Sequence, residues 1–530
     1  MYDAKIVWQQ GILQTFSTAH CPVGHAHCPI FMTLRNRLIT FYKSSWTAVI
    51  IVAVIGLCGA LNHSMWRDEM NVWLIVRDSP SWTAFVENIH YDRAHPGLWH
   101  LLVAALYHLF GHPMAMQIFH WLLAMGSVLL IWRCSPFLQW QKWLITFGYL
   151  PFYEHLLIAR NYAVAMLLLF GICALWPQRQ RAYWPLAGLL VLLANSNVYG
   201  LLIAIALALT LAIELLFEPK LRHNWLDILF SAALITTGCA VALYFILPPS
   251  DVANQALGEY VTGIDMRQLL KAVGRIFGGY YIIIPNGARY LDLSVCAAIA
   301  LGSCYLVAIK LIKKPYTLIF YLLGNGILLA FTYAKFMPSA IRHYGNFYLI
   351  LIAALWLGHH YTPTASRYLA NLNPWPLSSQ RWFNRVFTII LTAHLFGGLF
   401  LFTTDLRIPY SASRVTAAYM RQANLQDEFI VASRDAQMAS LSGYFGRPFY
   451  FPERQAIGSY TLFFKGIRRE IEQPEILAQV QQLLDQHPKI LLVLSERLIE
   501  PTSGLTIEPI QEFTKAWQDE EYYLYWVTQQ

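Results

Sequence analysis

Charge is what this chain has least of. Only 13% of its 530 residues are Asp, Glu, Lys or Arg, against 57% hydrophobic, whereas a soluble domain is about a quarter charged. That balance excludes an ordinary soluble fold and implies a polytopic membrane protein with a smaller polar part. The formal charge of +8 is too small for a nucleic-acid binder of this size, so no nucleic-acid partner is expected. Spread along membrane loops, it fits the positive-inside rule and anionic lipids. Cysteine is sparse, with eight in the chain and none after Leu406, so no disulfide framework is legible. A cleavable signal peptide is also missing: the first long apolar run, Trp46 to Leu61, has no small-residue cleavage site and leads into a charged triplet, Arg67-Asp68-Glu69. Zinc spacing is absent too, since Cys21, His25, His27 and Cys28 match no ligand motif. Residues 1–31 read as foreign to the rest, and the basic stretch from Met32 reads as the natural start.

Long apolar windows are what the chain has in abundance. Those near the length that crosses a bilayer, about 17 to 25 residues, run over 44–62, 114–132, 143–159, 162–177, 184–198, 200–217, 226–247, 291–312, 316–334, 344–361 and 385–402. The expected fold is therefore mostly α, with about eleven transmembrane helices. The 95–110 stretch is shorter, carries three histidines, and reads as a re-entrant or interfacial hairpin. With Arg35, Arg37 and Lys43 in the cytoplasm, the short inner loops hold Arg133 and Lys142, Arg179 and Arg181, Lys220 and Arg222, Lys313 and Lys314, and Arg367, Arg381 and Arg385. That parity satisfies the positive-inside rule, and a full crossing at 95–110 would destroy it. The one conflict is the loop 248–290, outside yet carrying Arg267, Lys271, Arg275 and Arg289; the rule is weak for long loops. The expected organisation is a cytoplasmic segment 1–43, a transmembrane domain 44–404 with outer loops 63–113 and 248–290, and an extracytoplasmic α/β domain 405–530.

This parity gathers polar residues from distant stretches on one face. Asp68, Glu69, Asp92, Arg93 and His95 lie there, with Arg160-Asn161-Tyr162, the Asn195–Tyr199 stretch including Asn197, and Arg342-His343-Tyr344. Ionisable residues at a membrane boundary are costly to keep and are functional suspects. Between Glu69 and His95 the chain is aromatic and amphipathic, broken at Ser79-Pro80-Ser81, which caps a second helix. Asp265 caps another, with an apolar stripe from Met266 to Phe277 and Arg267, Lys271 and Arg275 on the opposite side. This is either an interfacial helix anchored by cations or a lid that attracts a lipid phosphate. After Leu406, strand-like runs at 429–431, 490–494 and 522–526 alternate with a helical run near 468–485. Ser442 to Tyr450 reads as a Gly-aromatic loop.

Sugar transfer from a lipid phosphate needs a carboxylate to take the acceptor proton, cations to stabilise the leaving phosphate, and an apolar groove for the tail. Asp68 is the natural base and Glu69 its helper. Arg160 and Arg342 are isolated arginines at outer span ends, where a planar donor suits phosphate. His95 and His343 can donate to phosphate or sugar. Each also has a plainer reading, since boundary arginines snorkel and a histidine beside apolar residues is usually structural. The rival class is a polyprenyl-lipid or glycolipid transporter or flippase, which predicts inverted repeats and ionisable groups at mid-membrane; no repeat is visible here.

Asp68-Glu69 after the first span, then His95-Pro96-Gly97-Leu98-Trp99, resembles the Asp-Glu and His-Pro-Pro-Leu-Tyr pattern of the GT-C glycosyltransferases. The similar branch is the family 39-like one, with the protein O-mannosyltransferases and aminoarabinose transferases. Arg160-Asn161-Tyr162-Ala163 resembles that family's Arg-x-Tyr-Ala step, and Arg342-His343-Tyr344 its late Arg-Tyr motif. The match covers roughly 44–360 in the family's order. The resemblance implies an inverting transferase in the plasma membrane with its active site on the extracytoplasmic face, taking sugar from a polyprenyl-phosphate donor to a lipid, glycan or protein acceptor. It implies Asp68 as base, Glu69 and His95 shaping the donor and acceptor sites, and Arg342 near the donor phosphate. Arg93, Arg160, Tyr162, Asn197, His343 and Tyr344 complete the expected substrate-binding set. Asp68 and Glu69 can ligate Mg²⁺ or Mn²⁺, but no second carboxylate cluster is legible, so no cofactor is expected. Gly97 replaces the second proline and His343 separates Arg342 from Tyr344, which leaves the acceptor class open.

Overall fold

Within lipid every backbone N–H must be satisfied by its own segment, so apolar runs of spanning length fold as helices. A computed structural model of the protein describes residues 45–92, 95–222, 224–251, 263–285, 289–335, 340–363, 377–462, 471–499 and 504–530. The first membrane region gives α1 (Ser45–Asn62), α2 (Arg67–Asp78), α3 (Trp82–Tyr91), α4 (Leu98–Phe110), α5 (Met114–Cys134), α6 (Gln139–Thr146), α7 (Tyr162–Leu175), α8 (Trp184–Ala194), α9 (Val198–Phe217) and α10 (Trp225–Ile246). Then come α11 (Met266–Tyr281), α12 (Tyr290–Leu311), α13 (Pro315–Ala334), α14 (Ile341–Leu357) and α15 (Leu377–Arg407).

Among the described residues, eight helical segments are long and apolar enough to cross a membrane: Ser45–Asn62, Met114–Cys134, Tyr162–Gln180, Val198–Phe217, Trp225–Ile246, Tyr290–Leu311, Pro315–Ala334 and Gln380–Arg407. The chain is a multi-pass membrane protein. Three of the eleven expected windows fall outside that set. The 143–159 window breaks after α6 into a π-helical turn, Tyr149–Glu154, which contains Pro151; a proline removes a donor from the helical ladder. The 184–198 window gives α8 with 11 residues, only about 17 Å long at 1.5 Å per residue. The 344–361 window gives α14 with 17 residues, and Tyr344 through Ala354 are all buried. The 95–110 stretch contains a single helix, α4, of 13 residues, about 20 Å long against a hydrocarbon core of about 30 Å.

The helices pack as neighbours in pairs, α5 with α7, α8 with α10, α9 with α13, and α11 with both α12 and α14. Gly279 makes the last approach possible, because a Cβ there would overlap the Tyr344 carbonyl. Ser81 accepts from the Ala84 N–H to cap α3, and Asp265 accepts from Gln268 N–H at 2.9 Å to cap α11, both as the sequence indicates. The charged face expected on α11 is not continuous: Arg275 is buried, its guanidinium 4.7 Å from the Tyr344 ring.

The C-terminal region adds α16 (Ser413–Gln422), β1 (Ile430–Ala432), α17 (Asp435–Phe445), β2 (Phe449–Phe451), β3 (Ala456–Gly458), α18 (Gln473–Leu483), β4 (Lys489–Leu494), β5 (Leu505–Phe513) and β6 (Tyr522–Gln529). The sheet order is β3-β2-β1-β4-β6-β5, with β1 parallel to both β2 and β4. Leu491 and Val493 of β4 pack with Met438 and Leu441 of α17; Ile490, Leu492 and Leu494 pack with Ile476, Leu477 and Val480 of α18. Alternate residues thus serve opposite layers, which is why β4 reads as one continuous apolar run. The boundary drawn at 404/405 falls inside α15, which continues to Arg407. The stretch expected as a Gly-aromatic loop is the end of α17 and the start of β2, and α17 lies against α2. The six described cysteines are free; Cys21 and Cys28 lie outside the described residues.

Candidate functional site

The first turn of α2 sets the geometry. Neighbours in a helix do not share a face, so the two carboxylates of Asp68 and Glu69 diverge. Glu69, third in the helix, folds back on the N-terminus as a capping glutamate does. Its Oε2 accepts from the Trp66 N–H at 3.1 Å and from His63 Nε2 at 3.0 Å, and its Oε1 accepts from the Ala159 N–H at 2.5 Å. The side chain is fully buried. His63 completes a relay by donating from Nδ1 to Asp405 Oδ2 at 2.8 Å. Burial pulls the His63 pKa down, but the carboxylates of Asp405 and Glu69 pull harder the other way and raise it to about 10. This is a closed ion triad that ties α1, α2 and α15 together.

Asp68 faces the opposite way, with 22% of its side chain exposed. Its Oδ2 accepts from Arg160 Nη1 at 2.8 Å and lies 3.4 Å from Arg342 Nη2. Among the described residues Oδ1 carries no partner. Arg160 lies just before α7, with its guanidinium 5.4 Å from the Tyr162 ring; Arg342 opens α14 and lies 5.2 Å from the Trp66 ring. The Tyr162 hydroxyl is 3.2 Å from His343 Nδ1, and Tyr199 flanks His343 at 5.5 Å. Two arginines, one open carboxylate, and a tyrosine–histidine pair therefore meet from α2, α7, α9 and α14.

The remaining expected residues divide. His95 Nδ1 lies 3.1 Å from Asp92 Oδ2, which also takes His100 Nε2 at 3.0 Å. Asp92 is fully buried; desolvation favours its neutral form, yet the two imidazoles hold its carboxyl well below the usual range. Asn197 caps α9 through the Gly200 N–H at 2.8 Å, while its Nδ2 is buried and has no partner among the described residues. Tyr344 packs its ring against the Arg275 guanidinium, 4.7 Å away. Arg93 lies outside the described residues. Sequence reading missed His63 and Asp405, the partners that bury Glu69, although a histidine at the end of the first span is itself a boundary ionisable group.

Glu69 does not converge with Asp68 on a shared ion position, because both its oxygens are already occupied. Among the described residues, no group of three or more His, Cys, Asp or Glu side chains is placed to hold a metal ion. Towards the middle of spans, His120 and His394 bind the carbonyls of Leu156 and Gly279. Glu214 is locked to Arg179 by two contacts, at 2.9 and 3.0 Å.

No protein-family model matches the sequence, and no curated protein aligns with it. Among solved structures, the chain is similar to the arabinofuranosyltransferase AftD from Mycobacteria, with a TM-score of 0.36 at 12% identity over 90% of this chain and 39% of that one. A mutant form of AftD gives a TM-score of 0.32 at 12% identity, over 90% and 41%. The chain thus spans about two fifths of the length of the structures it matches. So loose a likeness defines neither a shared fold nor a shared activity, and the functional reading rests on the residues themselves.

Proposed function

We propose that the protein is a membrane glycosyltransferase that moves a sugar from a polyprenyl-phosphate donor to an acceptor hydroxyl, on the extracytoplasmic face. The observation that carries this reading is the Asp68 carboxylate, half open and held by two arginines from distant parts of the chain. In this scheme Asp68 Oδ1 takes the proton of the acceptor hydroxyl. The acceptor oxygen bonds to the anomeric carbon as the bond from that carbon to the phosphate oxygen breaks, inverting the centre in one displacement. Arg160 and Arg342 receive the departing phosphate, whose oxygens replace Asp68 Oδ2 as their partners. Tyr162 and His343 line the sugar side. The Asp92 group holds His95 in position. Glu69 is a positioning residue that fixes the first turn of α2.

The test is turnover of radiolabelled polyprenyl-phosphate sugars by the purified protein. Release of lipid phosphate, falling by about 10²–10⁴ in Asp68→Asn with the variant still folded, is the expected result. Donor binding without turnover in the wild type, unaffected by Asp68→Asn, would overturn it in favour of lipid transport.

A further inference from the structure

The C-terminal sheet contains a second site. The neighbouring strands β1 and β4 send the chain in opposite directions: β1 leads through α17 to β2 on one side, and β4 leads to β5 and β6 on the other. In open α/β sheets the crevice at such a switch point, outside the carboxyl ends of the strands, is where ligands bind. A cavity of about 400 Å³ lies there, within the range of about 300–1,000 Å³ usual for small-molecule sites. Its floor is formed by Ser433 and Arg434 after β1 and by Ser495 and Glu496 after β4.

Two features mark the crevice as built to hold something. Arg434 sits at the strand-to-helix turn with φ 66°, a left-handed conformation that is strained for a non-glycine residue. It reaches across both strand ends to Glu496 at 2.5 Å. The second feature is a pair of orphan acceptors. Gln437 and Glu453 are only 8% and 5% exposed, yet among the described residues Gln437 Oε1 and Glu453 Oε2 have no partner. Their other atoms are fixed: Gln437 Nε2 donates to the Asp519 carbonyl at 2.9 Å, and Glu453 Oε1 accepts from Ser433 Oγ at 2.8 Å and from the Arg434 N–H. Buried acceptors of this kind are satisfied in nearly every native structure, so both await donors.

The lining charges choose the ligand. Among the described residues, four carboxylates, Glu453, Glu472, Glu496 and Asp519, face two arginines. Both arginines are already engaged, Arg434 with Glu496 and Arg67 with Asp519 at 2.9 Å. A phosphate or nucleotide would meet the surplus of negative charge. A neutral molecule with adjacent hydroxyl groups supplies the two missing donors and meets no repulsion. We infer that the crevice binds a neutral carbohydrate through a pair of hydroxyls donating to Gln437 Oε1 and Glu453 Oε2. Arg67 belongs both to this crevice and to the first turn of α2, so a bound glycan would sit beside the element that carries Asp68. The binding itself is independent of any transfer reaction.

The experiment is saturation-transfer NMR on the full chain in a detergent without a sugar headgroup. The probes are mannotriose, maltotriose and arabinotriose, with uridine diphosphate and inorganic phosphate as rivals. The expected result is transfer to at least one trisaccharide. The signal should fall at least several-fold in Ser495→Trp, which fills the crevice, and in Glu453→Gln, which puts a donor where an acceptor is needed. It should persist in Asp68→Asn. Any of three results would overturn the inference: no transfer to any trisaccharide at millimolar concentration, stronger binding of uridine diphosphate or phosphate, or a sugar signal lost in Asp68→Asn but kept in a folded Ser495→Trp protein.

Discussion

His63 and Glu69 meet at 3.0 Å in a position closed to solvent on both sides. Because Asp405 grips the other ring nitrogen at 2.8 Å, the ring donates in both directions. Removing one partner of a buried charged group leaves the other uncompensated, which costs about 3–5 kcal/mol. Glu69→Ala should therefore lower stability by that order and leave the N–H groups of Trp66 and Ala159 unpaired, whereas Asp68→Asn, which keeps an amide oxygen beside Arg160 and Arg342 at a partly exposed position, should cost less. Melting curves of both variants decide the matter. A Glu69→Ala protein as stable as wild type yet inactive would make Glu69 a direct participant.

The same triad predicts a pH dependence. His63 has a folded pKa of about 10 against an ordinary 6.5. A group whose pKa rises on folding contributes stability that is full below its unfolded value and is lost as pH climbs through the folded one. The thermal midpoint should therefore decline between about pH 6.5 and about pH 10, and His63→Gln should flatten that decline while lowering the midpoint throughout. An unchanged slope in the variant would show that His63 is neutral in the folded protein.

Arg342 should matter through its shape as well as its charge. A lysine keeps the charge but loses the planar fork that meets phosphate in two places. A charge-assisted hydrogen bond contributes about 1.5–3 kcal/mol. If Arg342 holds the donor phosphate, Arg342→Lys should raise the donor KM by about 10–100-fold with little change in the acceptor KM. An effect on the acceptor alone would remove Arg342 from the donor site.

Glu520 governs the attachment of the C-terminal sheet to α2. Its Oε1 accepts from the Arg67 N–H at 2.8 Å and its Oε2 from Ser440 Oγ at 2.7 Å. Burial pushes its carboxyl up to about 7, against the pull of the hydrogen bonds to the charged form from Ser411, Arg67 and Ser440. Here the folded state holds the proton more tightly, so stability is greatest below about pH 4.5 and falls as pH rises through about 7. Proteolytic release of the C-terminal region should quicken over that window in the wild type, and Glu520→Gln should remove the trend. A pH-independent wild type would refute the assignment.

Much of this architecture was legible because the physical cause was local. The spanning helices follow from apolar run length, and the caps Ser81 and Asp265 from their own next few residues. The apolar strands β1, β4 and β6 follow from a sheet covered on both faces. Strand β5 was not legible: it lies at the sheet edge, carries Pro509, and shifts register between Pro509 and Gln511, as edge strands commonly do. At the site, the convergence of Asp68 with Arg160 and Arg342 follows from span-boundary motifs even though Arg342 lies 274 positions away. The divergence of Glu69 does not, because the groups that bury it come from Ala159 and, through His63, from Asp405. Two adjacent carboxylates look alike in sequence, and only the packing around α2 makes one open and the other buried.

The contact between α17 and α2 offers a separate handle on that packing. Gly443 of α17 faces Met70 of α2 so closely that a Cβ would overlap the methionine side chain, and Met70 is itself fully buried. Overpacking of a tight contact costs about 1–3 kcal/mol. Gly443→Val should therefore loosen the C-terminal region from the first turn of α2 and lower turnover by disturbing Asp68, with the sheet itself intact. Hydrogen exchange separates the two effects: faster exchange in α2 and α17 with β4 and β6 still protected is expected. Uniform loss of protection across the sheet would mean that Gly443 serves the folding of the C-terminal region alone. A Gly443→Val, Met70→Ala double variant should then restore part of the protection of α2 and of the turnover, because the smaller side chain at position 70 vacates space that the new side chain needs.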